Sequence, residues 1–203
     1  TEGLDVENAV LTGLGLAPPA GLNAYIPLLI LALFDRFTDR VTLDRPYDFI
    51  SSTPGIAVLL VLLTVEILAD KIPGIDHAND LIQSAIRPAA GAILMMASTN
   101  QNDSLNPVVA MIIGLVLAGG VHGVKATARP AITVSTGGIG NPLVSMVEDG
   151  LATLTSIMAV LAPIVAVALV ILFGLLLWWF YRKIRRLTAF VSRSTRTPST
   201  PTL

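Results

Sequence analysis

The sequence predicts an all-α membrane protein, a polytopic bundle of about five transmembrane helices. Of the 203 residues, 53% are hydrophobic and only 13% are charged, against roughly 25% charged residues in a soluble domain. The apolar residues also form continuous segments of about 20 residues, the length that crosses a bilayer core of roughly 30 Å. A single transmembrane domain is predicted over 1–191, followed by a Ser-, Thr- and Pro-rich tail, 192–203, which is predicted to be disordered and cytoplasmic.

Hydropathy along the chain locates the individual spans. The last is the clearest, because no charge occurs between Gly150 and Tyr181. The third is the weakest, since it contains Gln83, Ser84 and Arg87 and must be shielded by neighbouring helices rather than by lipid. The predicted spans are 20–37, 54–71, 82–97, 107–128 and 154–181.

Prolines interrupt two of the apolar segments. Pro18-Pro19 is predicted to end a half-helix over 5–16, and Pro88 to break the third span, because proline lacks a backbone N–H and clashes with the preceding turn. The two interruptions match at an offset of 70 residues, at Ala20-Gly21 and Ala90-Gly91 as well as at the prolines. This similarity suggests an internal repeat with broken helices, an arrangement typical of transporters.

The segment 131–147 carries no charge and includes a Gly-rich stretch, 133–142. We interpret it as an extracytoplasmic loop. The alternative is a segment that dips back into the membrane, with its backbone shielded by protein.

The distribution of lysine and arginine predicts the orientation in the membrane. The 13 basic residues divide into nine on one side, in the first loop and the tail, and four on the other. Because cytoplasmic loops are enriched in Lys and Arg, the N-terminus is expected outside and the C-terminus in the cytoplasm. The basic run Arg182–Arg186 should bind anionic lipids, and a net charge of −1 does not indicate a nucleic-acid partner.

Ionisable residues inside or beside the spans are the most informative feature of the chain. Residues three and four apart share one face of a helix, so Glu66 aligns with Asp70, and His122 with Lys125 and Arg129. Bare charges in hydrocarbon cost several kcal/mol each, so the two acids should pair with basic residues of neighbouring helices. The predicted substrate- or ion-binding residues are Glu66, Asp70, Arg87, His122, Lys125, Arg129 and Asn23, and the predicted outer network is Asp76, His77, Glu148 and Asp149.

These charges can be interpreted as staples between helices, as a site for an ion, proton or polar solute, or as catalytic groups. No Ser-His-Asp or phosphate-loop pattern is present, so an enzyme is the least favoured class. The chain has no cysteine and no HExxH-like spacing, and neither a metal nor a cofactor is predicted. The leading hypothesis is a small-solute or ion translocator that works as a homo-oligomer, and the alternative is a non-catalytic subunit or assembly factor of a larger membrane complex.

The same residues form recognisable motifs. They are Ala20-Gly21-Leu22-Asn23-Ala24-Tyr25-Ile26-Pro27, Glu66 with Ala69-Asp70-Lys71-Ile72-Pro73-Gly74-Ile75-Asp76-His77, Ile86-Arg87-Pro88-Ala89-Ala90-Gly91, His122-Gly123-Val124-Lys125-Ala126 with Arg129, and Asn141-Pro142 with Glu148-Asp149. Between Leu14 and Gly150 the chain resembles a bacterial inner-membrane family known only by a domain-of-unknown-function label. The resemblance implies a bacterial inner membrane and supplies no activity, substrate or site.

Overall fold

The structure, a computed structural model, describes residues 2–69, 75–100, 105–172, 174–175 and 182. For 2–6, 75–78 and 80 it describes the helical backbone but not the side chains. By its internal contacts the chain divides into two units, 1–167 and 168–203, and the predicted tail 192–203 lies outside the described residues. The helices are α1 (Glu2–Ala20), α2 (Tyr25–Phe37), α3 (Asp48–Ser51), α4 (Thr53–Ala69), α5 (Ile75–Asn100), α6 (Pro107–Thr136), α7 (Gly140–Leu161) and α8 (Pro163–Leu172).

The predicted all-α class and the membrane character of the chain are confirmed. Among the described residues, three helices, α5, α6 and α7, are long and apolar enough to cross a membrane, and α4 and α8 are shorter apolar helices. The helices α2, α4, α5 and α6 coincide with predicted spans one to four. Large apolar side chains such as Val61 on α4 and Val116 on α6 are exposed, which is the surface expected of helices that face lipid.

The chain reverses direction earlier than the sequence analysis predicts. The uncharged segment 131–147 is not a loop, since it contains the end of α6, a tight turn and the start of α7. Gly137 and Gly138 make this turn with φ values of 62° and 87°, which residues without a Cβ adopt at little cost. The predicted fifth span, 154–181, is therefore wrong in its limits, because α7 ends at Leu161 and α8 begins at Pro163.

The prolines have different effects in the two halves of the chain. Helix α1 ends directly after Pro18-Pro19, so a break there is confirmed, although α1 is longer than the predicted half-helix 5–16. The predicted break at Pro88 is wrong, because α5 continues to Asn100. Close packing of α5 against α1 and α6 compensates for the one backbone hydrogen bond that proline removes. The helix limits also contradict the proposed repeat, since an offset of 70 residues would place the start of α2 within the last turns of α5.

Helix α1 is the centre of the bundle. Leu16, Ala17 and Ala20 are fully buried where α1 packs against α5, α6 and α7. The contact between α5 and α6 also uses small residues, with Gly91 lying against the backbone of Gly114. Lipid tails are as apolar as the helix surfaces, so close van der Waals packing at small residues holds such helices together.

Helices α1 and α2 form a hairpin whose turn, 21–24, lies inside the bundle. Gly13 of α1 lies against Ser98 near the end of α5, whereas Gly21 lies against the middle of α6. Helix α2 then runs back toward the end of the bundle at which Gly13 lies, and its Arg36 hydrogen-bonds the start of α4. The turn therefore brings irregular backbone into the interior of the bundle, which positions the site described next.

Candidate functional site

Polar side chains from five parts of the bundle meet in its interior. Those nearest the middle of α6 form the inner cluster, and those toward its C-terminal half form the outer cluster. His122 lies fifteen residues from the first residue of α6 and fourteen from the last, about 21–22 Å from either end at 1.5 Å per residue. The inner cluster is Glu66, Ser84, Arg87 and His122, and the outer cluster is Asn23, Lys125, Arg129, Glu148 and Asp149.

An ion pair between α4 and α5 anchors the inner cluster. Arg87 donates to Glu66 Oε1 from Nη2 at 2.9 Å and from Nε at 3.3 Å. The exposed fractions of the Arg87 and Glu66 side chains are 0% and 1%. This pair is present as predicted, because a carboxylate within a span requires a cation from a neighbouring helix.

The His122 ring is held on both of its nitrogens. Arg87 Nη1 lies 3.0 Å from Nδ1, and Ser84 Oγ lies 3.0 Å from Nε2. A guanidinium group donates hydrogen bonds and cannot accept them, so Nδ1 is the acceptor and the ring proton is on Nε2, which donates to Ser84. These contacts therefore assign the neutral Nε2–H tautomer to His122.

Two uncharged residues border the inner cluster. Gln83, one turn before Arg87 on α5, lies near the phenol of Tyr25 at the start of α2, as does Glu66. Both Gln83 and Tyr25 are buried, and Gln83 Oε1 has no hydrogen-bond partner among the described residues. A buried carbonyl oxygen without a donor costs about 1–3 kcal/mol, so a water molecule or a solute with a donor group would be stabilised there.

In the outer cluster, two cations of α6 share one carboxylate of α7. Lys125 Nζ lies 2.9 Å and Arg129 Nη2 3.5 Å from the same oxygen, Glu148 Oε2. Lys125 and Arg129 are one turn apart, so a single acid on the facing helix can reach both. Glu148 is therefore the point at which two basic residues compete for one partner.

The turn between α1 and α2 supplies the other half of the outer cluster. Asn23 Oδ1 accepts hydrogen bonds from the backbone N–H groups of Tyr25 and Ile26 at the start of α2, while its Nδ2 donates to Asp149 at 2.9 Å. Lys125 Nζ donates to the Leu22 carbonyl oxygen at 2.8 Å. A helix carries partial negative charge at its C-terminus and partial positive charge at its N-terminus. The cation beside the end of α1 and the anion beside the start of α2 therefore both stabilise the break.

The structure assembles most of the residues that the sequence singles out. It joins Glu66, Arg87 and His122 in the inner cluster, and Asn23 with the remaining described residues in the outer cluster. Asp70 lies outside the described residues, as do the side chains of Asp76 and His77 on α5. Arg129 contacts Glu148, and Arg87 is the basic residue of a neighbouring helix with which Glu66 pairs.

Sequence analysis did not assign Ser84, Gln83 or Tyr25 to the site. Ser84 and Gln83 lie three and four residues before Arg87, and this spacing places all three on one face of α5. The signal was therefore present in the helical period. Tyr25 gave no comparable signal, because α2 approaches α5 only through the tertiary fold.

The described charges of the two clusters balance. Three carboxylates face three basic groups, and His122 adds none in its neutral form. Within the described part of the chain, no group of three potential metal ligands of the His, Cys, Asp or Glu type lies close enough together to hold a metal ion. The arrangement is thus suited to exchanging hydrogen-bond and ion-pair partners, and to binding a proton or a polar group that takes part in such an exchange.

One comparison with known proteins gives a match. A family model described as "Domain of unknown function (DUF4126)" matches residues 10–183. No curated protein and no solved structure matches the chain.

Proposed function

Since the chain belongs to the DUF4126 family, whose description names no activity, we infer its function from its residues. We propose that it is a translocator of a small polar solute or an ion. The observation that carries the proposal is the pair of buried ionic clusters beside a helix break in an apolar bundle. Ionisable groups at this depth are costly and mark solute or ion pathways more often than in soluble proteins.

Shared partners in both clusters support this function. Arg87 contacts both Glu66 and His122, and Glu148 contacts both Lys125 and Arg129. A group with two partners can transfer its main contact from one to the other without being left unpaired, which lowers the barrier to rearrangement within the membrane. A pathway needs at least one such rearrangement each time a solute or ion passes.

The helix break is a second support. The Leu22 carbonyl oxygen and the Asn23 side chain place polar groups inside the bundle, where broken helices of transporters bind their solutes. One copy of this bundle has few helices with which to enclose a path. We therefore propose a homo-oligomer as the working form.

The alternative is a non-catalytic subunit or assembly factor of a larger membrane complex. It is favoured by the completeness of the pairing, because each described basic group of the two clusters has an acidic partner within 3.5 Å. In this reading the ion pairs are permanent staples between helices. The exposed apolar faces of α4 and α6 would then dock other proteins in addition to lipid.

We place the protein in a bacterial inner membrane with the loop 38–47 and the basic residues 182–186 on the cytoplasmic side, where 182–186 would bind anionic lipids. The same count of basic residues puts the N-terminus outside. The contacts of α1 favour a cytoplasmic N-terminus instead, because Gly13 lies beside Ser98. Ser98 is at the same end of the bundle as Asn100, which bonds the loop 38–47 at Arg45.

The proposal is tested by the access of water to the clusters. The chain has no cysteine, so single cysteines can be placed at the half-buried positions Ala69 on α4 and Ala126 on α6 and treated in intact membranes with a water-soluble thiol reagent. A translocator predicts labelling at one or both positions, at a rate that changes with pH or with an added ion.

Two matched positions control the experiment. A cysteine at Val61, on the exposed apolar face of α4, should stay unlabelled, and one at Thr38, in the exposed loop, should label at a rate that changes only with the titration of the thiol itself. If Ala69 and Ala126 remain unreactive under all conditions while both controls behave as expected, the translocator is excluded and the subunit reading takes its place.

A further inference from the structure

We infer that His122 is the proton-binding group of the inner cluster and that proton uptake there is coupled to the release of Arg87. The inference rests on the proposed function, because it names the proton as an ion that the site handles. It is carried by the contacts on the two ring nitrogens of a buried histidine.

The tautomer of His122 determines where a proton can bind. Nε2 already carries the ring proton that it donates to Ser84 Oγ, so Nδ1 holds the one lone pair able to take another. That lone pair accepts the hydrogen bond from Arg87 Nη1 at 3.0 Å. A proton from water can therefore bind Nδ1 only when Arg87 Nη1 has withdrawn, and the imidazolium so formed cannot accept from Arg87 again until it loses a proton.

The cluster thus has two exclusive states. In the first, Arg87 joins α6 to α4, because it contacts His122 and Glu66 at once. In the second, His122 is a cation, and two cations 3.0 Å apart repel each other, so Arg87 keeps its contact with Glu66 and the link to α6 is lost. Each proton that His122 takes up therefore breaks one hydrogen bond between α5 and α6.

The neighbouring groups allow this exchange. Glu66 on α4 stabilises positive charge at either Arg87 or His122, and Ser84 Oγ on α5 can accept the hydrogen bond from Nε2 in both states of the ring. Helix α1 presents backbone at Gly21. Among the described residues, the other titratable groups beside the inner cluster are Lys125, one turn along α6, and Tyr25 on α2, which lies near Glu66 and Arg87.

The inference is tested by nitrogen NMR of ¹⁵N-histidine and ¹⁵N-arginine in lipid nanodiscs. The chain has two histidines, so His77→Gln leaves His122 as the single reporter. At alkaline pH its Nδ1 signal should be that of an unprotonated nitrogen and its Nε2 signal that of N–H. On acidification both nitrogens should become protonated, and the Arg87 Nη signals should shift over the same pH interval.

Arg87→Met is the matched control. Without a donor to Nδ1, His122 should lose its preference for the Nε2–H tautomer, which would identify Arg87 as the group that sets it. The inference is overturned by an Nδ1–H tautomer at alkaline pH in the His77→Gln protein, or by an imidazolium that forms while the Arg87 signals stay unchanged.

A second measurement leaves both histidines in place, in case His77→Gln does not fold. The labelling rate of a cysteine at Ala126, divided by that at Thr38 to remove the effect of pH on the thiol, should rise about tenfold on acidification, equivalent to ~1.4 kcal/mol of coupling. In His122→Gln the ratio should not change with pH. Labelling at Ala126 that is independent of pH would refute the proton-linked step and leave the translocator standing, whereas no labelling at all would refute translocation.

Discussion

The ion pair of Glu66 with Arg87 allows the sharpest test of how the buried charges stabilise the bundle. The perturbation is Glu66→Gln, Arg87→Met and the two together. Glu66→Gln keeps the shape of the side chain and removes its charge, and Arg87→Met keeps an unbranched side chain and removes the guanidinium. Both side chains are almost completely buried, and Nη2 lies 2.9 Å from Oε1.

The magnitude follows from this distance. Two unit charges 2.9 Å apart attract each other by about 6 kcal/mol at an effective dielectric constant of about 20. Much of that attraction offsets the loss of hydration, but removing one partner leaves the other charge buried, which typically costs about 3–5 kcal/mol. We expect each single substitution to lower the free energy of unfolding by this amount. The double variant should be about 2–3 kcal/mol more stable than the sum of the two losses, because it leaves neither charge uncompensated.

The assay is unfolding by SDS titration in mixed micelles, followed by the circular dichroism of the helices. The exposed pair Arg45–Asp48 serves as control, since its atoms are 3.8 Å apart and its side chains are 94% and 50% exposed. A double substitution there should show no coupling beyond the error, because water screens such pairs. If Glu66→Gln and Arg87→Met prove additive, the carboxylate and the guanidinium do not stabilise each other in the membrane, and the assignment of the inner cluster is refuted.

Three further predictions concern other parts of the bundle. Gly91→Ala should destabilise the protein by about 1–3 kcal/mol in the same titration, because the added Cβ would lie 2.6 Å from a backbone oxygen of α6. Gly120→Ala, where an added Cβ would have nothing within 4 Å, should be neutral or slightly stabilising. Equal losses for the two variants would contradict the close approach of α5 and α6. Asn23→Ala removes the hydrogen bonds to the first turn of α2 and should cost about 1–2 kcal/mol, so unchanged unfolding would show that the break does not depend on this cap. A reporter in the turn 137–139 should read extracytoplasmic and one after Arg186 cytoplasmic, and the same reading for both would refute the five-span topology.

The sequence predicts the class of the protein and most of the site because both depend on local properties. The length and apolarity of a span do not depend on its neighbours, and the helical period aligns His122 with Lys125 and Arg129 wherever the helix lies. The scarcity of charge within the spans also made Glu66 and Arg87 conspicuous before their contact was known.

Partner choice, by contrast, was decided by the tertiary structure. Arg129 and Lys125 share Glu148 because α7 begins at Gly140 and runs back along the bundle. The pattern of this region predicts a loop, because hydropathy does not show that two glycines with positive φ compress the connection into a three-residue turn. Once that turn is known, the absence of charge in 131–147 is explained by the two helix ends that it joins.

The two proline motifs separate local from tertiary causes most clearly. By itself the sequence determined that proline would remove a backbone hydrogen bond at Pro19 and at Pro88, since this follows from the covalent structure of the residue. Only the tertiary structure decided that α1 ends after Pro19 and that α5 continues through Pro88. After Pro19, Lys125 donates to the backbone carbonyl oxygen of Leu22, and the Asn23 side chain donates to Asp149, and both contacts stabilise a break. Around Pro88, α5 packs against α1 and α6 on one side, and in apolar surroundings an unbroken helix leaves the fewest backbone groups unpaired.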